Sequence, residues 1–274
     1  MAPAEAAPYS PAMSGRSRLC RSRLCRSRHW VAAGGWAEAE QLATSNLFAF
    51  LLWLRLARGR ALADAAALQR WVAVDPDGFD DAFWDFARVI GEKGRALSLA
   101  ENALRHRGGR AAVAGCGGGF SRERLGDEAA SFAAALREAG VGPGDAVGGF
   151  VPESPLGIAA FLGANALGAV WASEADAAHL RLEKSAVAGF ARLHRGAALA
   201  FVRRPLAAPL AILEGGAVAR QDTFLGHLRD ILLRAEVRPE QRVTVDGERW
   251  LWGLAALASG ASLVFGLRAE VPRE

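Results

Sequence analysis

The chain has 274 residues, 51% of them hydrophobic, with a formal net charge of +4. That length and apolar content can bury a sizeable core and exclude a wholly disordered chain. The charge does not make the body a polyanion binder. Arg16, Arg18, Arg21, Arg23, Arg26 and Arg28 alone exceed it, so a basic tail precedes a nearly neutral body.

The tail, Met1 to about Gly35, has no periodic apolar pattern and is expected to be disordered. It carries a tandem repeat, RSRLC at Arg16–Cys20 and at Arg21–Cys25, followed by the broken copy RSRHW. Three readings fit: an arm making weak, nonspecific contacts to an anionic surface or nucleic acid through Arg16–Arg28, a transit-like presequence, or a leader with a duplicated coding stretch. It has no continuous apolar stretch of the secretory type. Cys20, Cys25 and His29 sketch a zinc site, but no fourth ligand follows at finger-like spacing. With Cys116 the only other cysteine, free thiols in a reducing cytosol are expected, and with them a cytoplasmic location.

From Ala37 the pattern turns helical. Ala37–Arg58, Ala61–Val74 and Phe79–Ile90 are expected helices, the last two separated by a turn at Asp75-Pro76-Asp77-Gly78. Phe79, Phe83, Trp84 and Phe86 form an aromatic stripe of core type. Ala111–Ala114 and Phe120 flank a glycine cluster that reads as a hairpin turn, and Ser121 stands where it caps the next helix, with Glu123 placed against the dipole. Through Ala129–Ser173 the order is helix, C-cap Gly140, turn Val141–Asp145, strand Ala146–Val151, helix from Pro155 to Gly168, and strand Ala169–Ala172. Such alternation specifies a parallel sheet with crossovers, placing Val147–Val151 beside Ala169–Trp171. Leu180–Ala200 reads as an amphipathic helix plus loop, with His179 and His194 as surface residues. Trp250–Phe265 is uncharged and close to the roughly 18 residues of a membrane span. Ser259-Gly260-Ala261-Ser262 breaks it into a helix and a strand, so no membrane insertion is expected.

The phrase AALREAGVGPGDAVGGFVPESPLGIAAFLGANALGAVWAS, with SNLFAFLLWL at Ser45–Leu54, FDDAFWDFARVIGEKG at Phe79–Gly94 and LSLAENALRHR at Leu97–Arg107, resembles acyl-CoA synthetases of the adenylate-forming superfamily, in their acetoacetyl-CoA synthetase branch. The resemblance implies an α/β fold: part of an N-terminal adenylate-forming domain over 111–274, with a parallel sheet and flanking helices, after a helical lead-in over 36–110. It implies a family chemistry in which ATP and Mg²⁺ activate a short acyl carboxylate for transfer to CoA.

In that family a strand like Leu210–Leu213 leads into a Ser/Thr/Gly-rich loop ending in a lysine, which wraps the ATP phosphates, and then into a helix like Phe224–Leu233. Here the loop has shrunk to Glu214–Thr223. Gly215, Gly216, Arg220 and Thr223 are the candidate remnant of the phosphate site, and Glu214 sets a negative charge against it. The two lysines, Lys93 and Lys184, stand elsewhere, and Ser173-Glu174-Ala175 replaces the family's Ser- and Pro-containing segment. The expectation is a truncated, degenerate relative with no catalytic residue, no metal site and no cofactor of its own. It either pairs with an intact synthetase or itself, or has no role. Deleting Arg16–Arg28 is expected to leave the thermal unfolding midpoint unchanged. Any DNA or RNA binding should collapse as salt rises; salt-resistant, sequence-dependent binding would contradict this reading.

Overall fold

The computed structural model describes residues 45–115, 118–183, 189, 194–246 and 249–266. The basic tail, with Cys20, Cys25 and His29, lies outside them. Three helices open the described chain. Ser45 caps α1 (Asn46–Arg58) by accepting the Phe48 N–H at 3.2 Å, so this helix begins at the cap, and the expected stretch 37–44 lies outside the described residues. Asp64 likewise caps α2 (Ala65–Val74), accepting from Ala67 at 2.7 Å.

The turn expected at Asp75–Gly78 is instead the start of α3 (Pro76–Phe86). Asp75 accepts the Gly78 N–H at 2.9 Å, and Pro76 occupies the first turn, where its missing N–H costs nothing. The helix ends at Phe86, short of the expected Ile90. The aromatic stripe is core, as its spacing implied: Phe50 meets Phe86 at 4.8 Å and Phe79 edge-on at 6.0 Å. Arg229 ties this layer to the rest of the protein, lying over the Phe79 ring and bonding Asp80 at 2.5 Å. Asn46 adds a bond to the Val237 carbonyl at 3.0 Å.

Two short strands, β1 (Gly91–Glu92) and β2 (Ala96–Leu97), lead to α4 (Leu99–Ala103) and then to the hairpin β3 (Ala111–Gly115) and β4 (Gly118–Ser121). Ser121 caps α5 (Arg122–Glu138), accepting from Arg124 at 3.1 Å. Gly140, at φ 84°, ends the following turn in the left-handed region.

The parallel unit expected at Ala129–Ser173 is present. Strands β5 (Ala146–Gly148) and β6 (Val170–Ala172) run parallel, with Val147 opposite Trp171, and α6 (Pro155–Ala166) crosses between them. β5 stops at Gly148, short of the expected Val151, because Gly148 and Gly149 take positive φ.

The full sheet has five strands, ordered β10 (Val218–Arg220), β9 (Pro209–Ile212), β6, β5 and β7 (Leu180–Arg181), of which only β10 is antiparallel to its neighbour. The helix expected from Leu180 is therefore corrected at its start: Leu180–Arg181 is a strand, drawn into extension by pairing with β5. Much of the remainder, 184–188 and 190–193, lies outside the described residues. A second sheet is ordered β11 (Arg242–Val245), β12 (Ser262–Phe265), β3 and β4. A third joins β1, β2 and β8 (Arg204–Pro205). The helix α7 (Gln221–Arg229) follows β10, and α8 (Trp250–Ser259) ends at Gly260, φ 94°, before β12. None of the helices described is long and apolar enough to cross a membrane.

Helix α6 is buried along almost its whole length, which is why its sequence is apolar all round. On it, Phe161 meets Trp171 of one sheet at 6.0 Å and Trp250 of α8, which packs beside the other, at 4.9 Å. Its approach to α5 depends on Gly163. A Cβ there would stand 2.7 Å from both the Ala129 carbonyl oxygen and the Phe132 Cβ. Carbonyls at the end of α8 are held by buried Arg122, which bonds Gly260 and Ala261, and His106 Nε2 lies 3.0 Å from the Ala258 oxygen.

Gly163→Ala should cost about 1–3 kcal/mol through overpacking, against a gain of about 1 kcal/mol in helix propensity. Gly226→Ala in α7, where a Cβ meets nothing within 4 Å, should instead stabilise by about 0.5–1 kcal/mol. Denaturant midpoints of the two variants check the sign of each.

Burial holds His106 below its ordinary value of 6.5, reinforced by Arg105 and Arg122 against the Ala258 bond; burial also lowers His227, opposed by Asp230. With folded values depressed, the unfolded chain takes up more protons as pH falls through 6.5. The stability these rings contribute is complete above that pH and is lost below it. The unfolding temperature should therefore fall between about pH 7 and about pH 5, with a shallower slope in His227→Gln.

Candidate functional site

In a parallel sheet, ligands bind outside the carboxyl ends of the strands. Here those ends include Gly148-Gly149 after β5, Ser173-Glu174 after β6, Leu182 after β7 and Leu213–Gly216 after β9. The loop expected over Glu214–Thr223 is shorter still in the structure. Val218–Arg220 is strand β10, folded back on β9 with Val218 opposite Ile212, and α7 starts at Gln221 rather than Phe224. Of that loop only Glu214–Ala217 lies outside β10 and α7, with Glu214–Gly216 forming the turn. Gly215 and Gly216 sit at φ 76° and 79°, conformations that favour glycine, and a Cβ on either would meet nothing within 4 Å.

The four candidate residues are not brought together. Gly215 and Gly216 follow the last residue of β9, whereas Arg220 pairs with its first, Pro209. A strand's length separates the two groups, about 10–13 Å at ~3.3 Å per residue. Arg220 is exposed, and its N–H donates to Thr223 Oγ1 at 3.0 Å, which closes the first turn of α7. Lys93, one of the two lysines, is engaged with Asp81 and Asp85 at 2.6 and 2.8 Å on the helical layer. Lys184 lies outside the described residues.

Both glycine N–H groups of the turn are already used. Gly216 donates to the Leu213 carbonyl at 3.0 Å, which closes the turn, and Gly215 donates to Glu174 Oε1 at 2.7 Å. Sequence reading noted Glu174 as a departure and Gly215 as a candidate, but nothing in residues 41 positions apart signals that they touch. The adjacent Ser173 is 5% exposed, and its hydroxyl has no hydrogen-bond partner among the described residues. His179 is exposed, while half-buried His194 pairs with Glu138 at 2.9 Å. The described residues contain no cluster of three or more His, Cys, Asp or Glu able to hold a metal ion. This donor set does not fit a triphosphate: one glycine N–H faces a carboxylate, the other is spent in the turn, and Glu214 adds a second negative charge.

The sequence pattern of the AMP-binding enzyme family matches residues 99–177, from α4 to the turn after β6. Acetoacetyl-CoA synthetase of Macaca fascicularis is 33% identical over 163 residues, covering 50% of this chain and 24% of that protein. Acetoacetyl-coenzyme A synthetase of Rhizobium meliloti (strain 1021) is 30% identical over 159 residues, again covering 50% of this chain and 24% of that protein. The chain thus matches about a quarter of the length of these relatives. Acetoacetyl-CoA synthetase from Streptomyces lividans shares the fold, with a TM-score of 0.68 at 20% identity, covering 82% of this chain and 50% of that one. The parallel unit, the helical layer and the matched segment agree: the chain is similar to acetoacetyl-CoA synthetases and, over residues 99–177, to AMP-binding enzymes.

Proposed function

We propose that this chain does not adenylate a carboxylate by itself, although it derives from enzymes that activate a short acyl group with ATP and Mg²⁺ for transfer to CoA. One observation carries the reading. The connection between β9 and β10 is five residues long, Leu213–Ala217, and both of its glycine N–H groups are engaged within the protein. Adenylation builds negative charge on phosphate, and each preorganised donor lost typically costs about 2.7–4 kcal/mol of transition-state stabilisation. Two such losses slow the reaction by roughly four to six orders of magnitude, at about tenfold per 1.36 kcal/mol. Arg220 does not restore the charge, because it stands at the far end of β10.

The test is acetoacetate- or acetate-dependent exchange of labelled pyrophosphate into ATP, run on protein that shows a cooperative unfolding transition. Exchange should not rise above a no-protein blank. Exchange above the blank that Arg220→Ala abolishes would contradict the reading and make the short turn a working phosphate site.

A further inference from the structure

Two departures from the family pattern, far apart in sequence, meet in space. Glu174 lies just beyond β6 in extended backbone, φ −108° and ψ 143°, ahead of the turn Ala175–Ala177. The preceding Ser173 donates its N–H to the Ile212 carbonyl at 2.8 Å, which carries the β6–β9 pairing to the edge of the glycine turn. From there the Glu174 carboxylate reaches Gly215 N–H at 2.7 Å, at the short end of the range for a charge-assisted bond. An N–H from a left-handed glycine in a tight turn is the kind of donor that binds phosphate oxygens in backbone nests. The outer side of this turn is open, with nothing within 4 Å of a Cβ placed on Gly215 or Gly216. Ser173, next to Glu174 in the chain, is buried, and its hydroxyl has no hydrogen-bond partner among the described residues.

We propose that Glu174 is an internal ligand of the Gly215 N–H and competes there with phosphate-type anions, so that the turn is an anion nest occupied by the protein's own carboxylate. This rests on the reading of Glu214–Gly216 as a remnant phosphate turn. Anion entry requires Glu174 to leave, and the carboxylate also repels what approaches. Glutamine in its place keeps an oxygen that can accept the same N–H but removes the charge. Alanine removes both.

Amide hydrogen exchange at Gly215, followed in wild type, Glu174→Gln and Glu174→Ala, with and without inorganic pyrophosphate, tests this directly. Exchange in Glu174→Ala should be faster than in wild type by about tenfold, the effect of losing one charge-assisted bond. Glu174→Gln should fall between them. Pyrophosphate should slow Gly215 exchange in the alanine and glutamine variants and leave wild type unchanged. Equal exchange in wild type and alanine variant, or no pyrophosphate protection in either variant, overturns the proposal. Glu174 is exposed, so both substitutions are compatible with folding, and the glutamine variant alone still decides the anion arm. Pyrophosphate exchange into ATP by wild type would refute the proposed lack of activity without touching the Gly215 rates, so the two failures are separable.

Discussion

Helix α6 can lie against α5 only because Gly163 has no side chain at the crossing, and the surrounding elements take their places from that contact. The same helix joins β5 to β6, so its position sets the parallel register in which Val147 faces Trp171. Its Phe161 then bridges the sheet built on β6 to Trp250 on α8, whose far end is pinned by Arg122 and His106. A methyl group at the crossing would be felt in both sheets, because close-packed interiors transmit strain rather than absorb it. The helical layer is held differently. Its aromatic cluster packs on itself, and Arg229 joins it to α7 through a ring face and a carboxylate.

Elements with strong local punctuation were legible in the sequence. Ser121 before a helix, Gly140 after one, Pro155 at a first turn and Gly260 inside an apolar run each act over one turn of chain, and each stands where its chemistry demands. Asp75-Pro76-Asp77-Gly78 misled because the residues that make turns also make helix N-termini. The Asp75 carboxylate settled it by accepting the Gly78 N–H. Leu180–Arg181 became a strand through pairing with β5, a long-range influence that no local pattern reports.

The candidate site was less legible for the same reason. The resemblance placed Gly215 and Gly216 in a loop after a strand like Leu210–Leu213, and that strand is present, but the antiparallel return of Val218–Arg220 was not expected. That return carries Arg220 away from the glycines. It also leaves Gly215 within reach of Glu174, a contact set by the β6–β9 pairing rather than by any motif. The chemical lesson concerns donors. Backbone N–H groups are finite, and one satisfied inside the fold offers little to a ligand unless its internal partner is displaced.

The central claim is that the turn at Glu214–Gly216 is closed to nucleotide phosphates in the protein as it stands. Titration of ¹⁵N-labelled wild-type chain with MgATP, following the amide resonances of Gly215 and Gly216, measures this at the atoms concerned. The account requires both resonances to stay fixed while MgATP is raised to millimolar levels, on the order of the weak-binding limit for a specific site. Saturable shifts centred on Gly215 and Gly216 would contradict it.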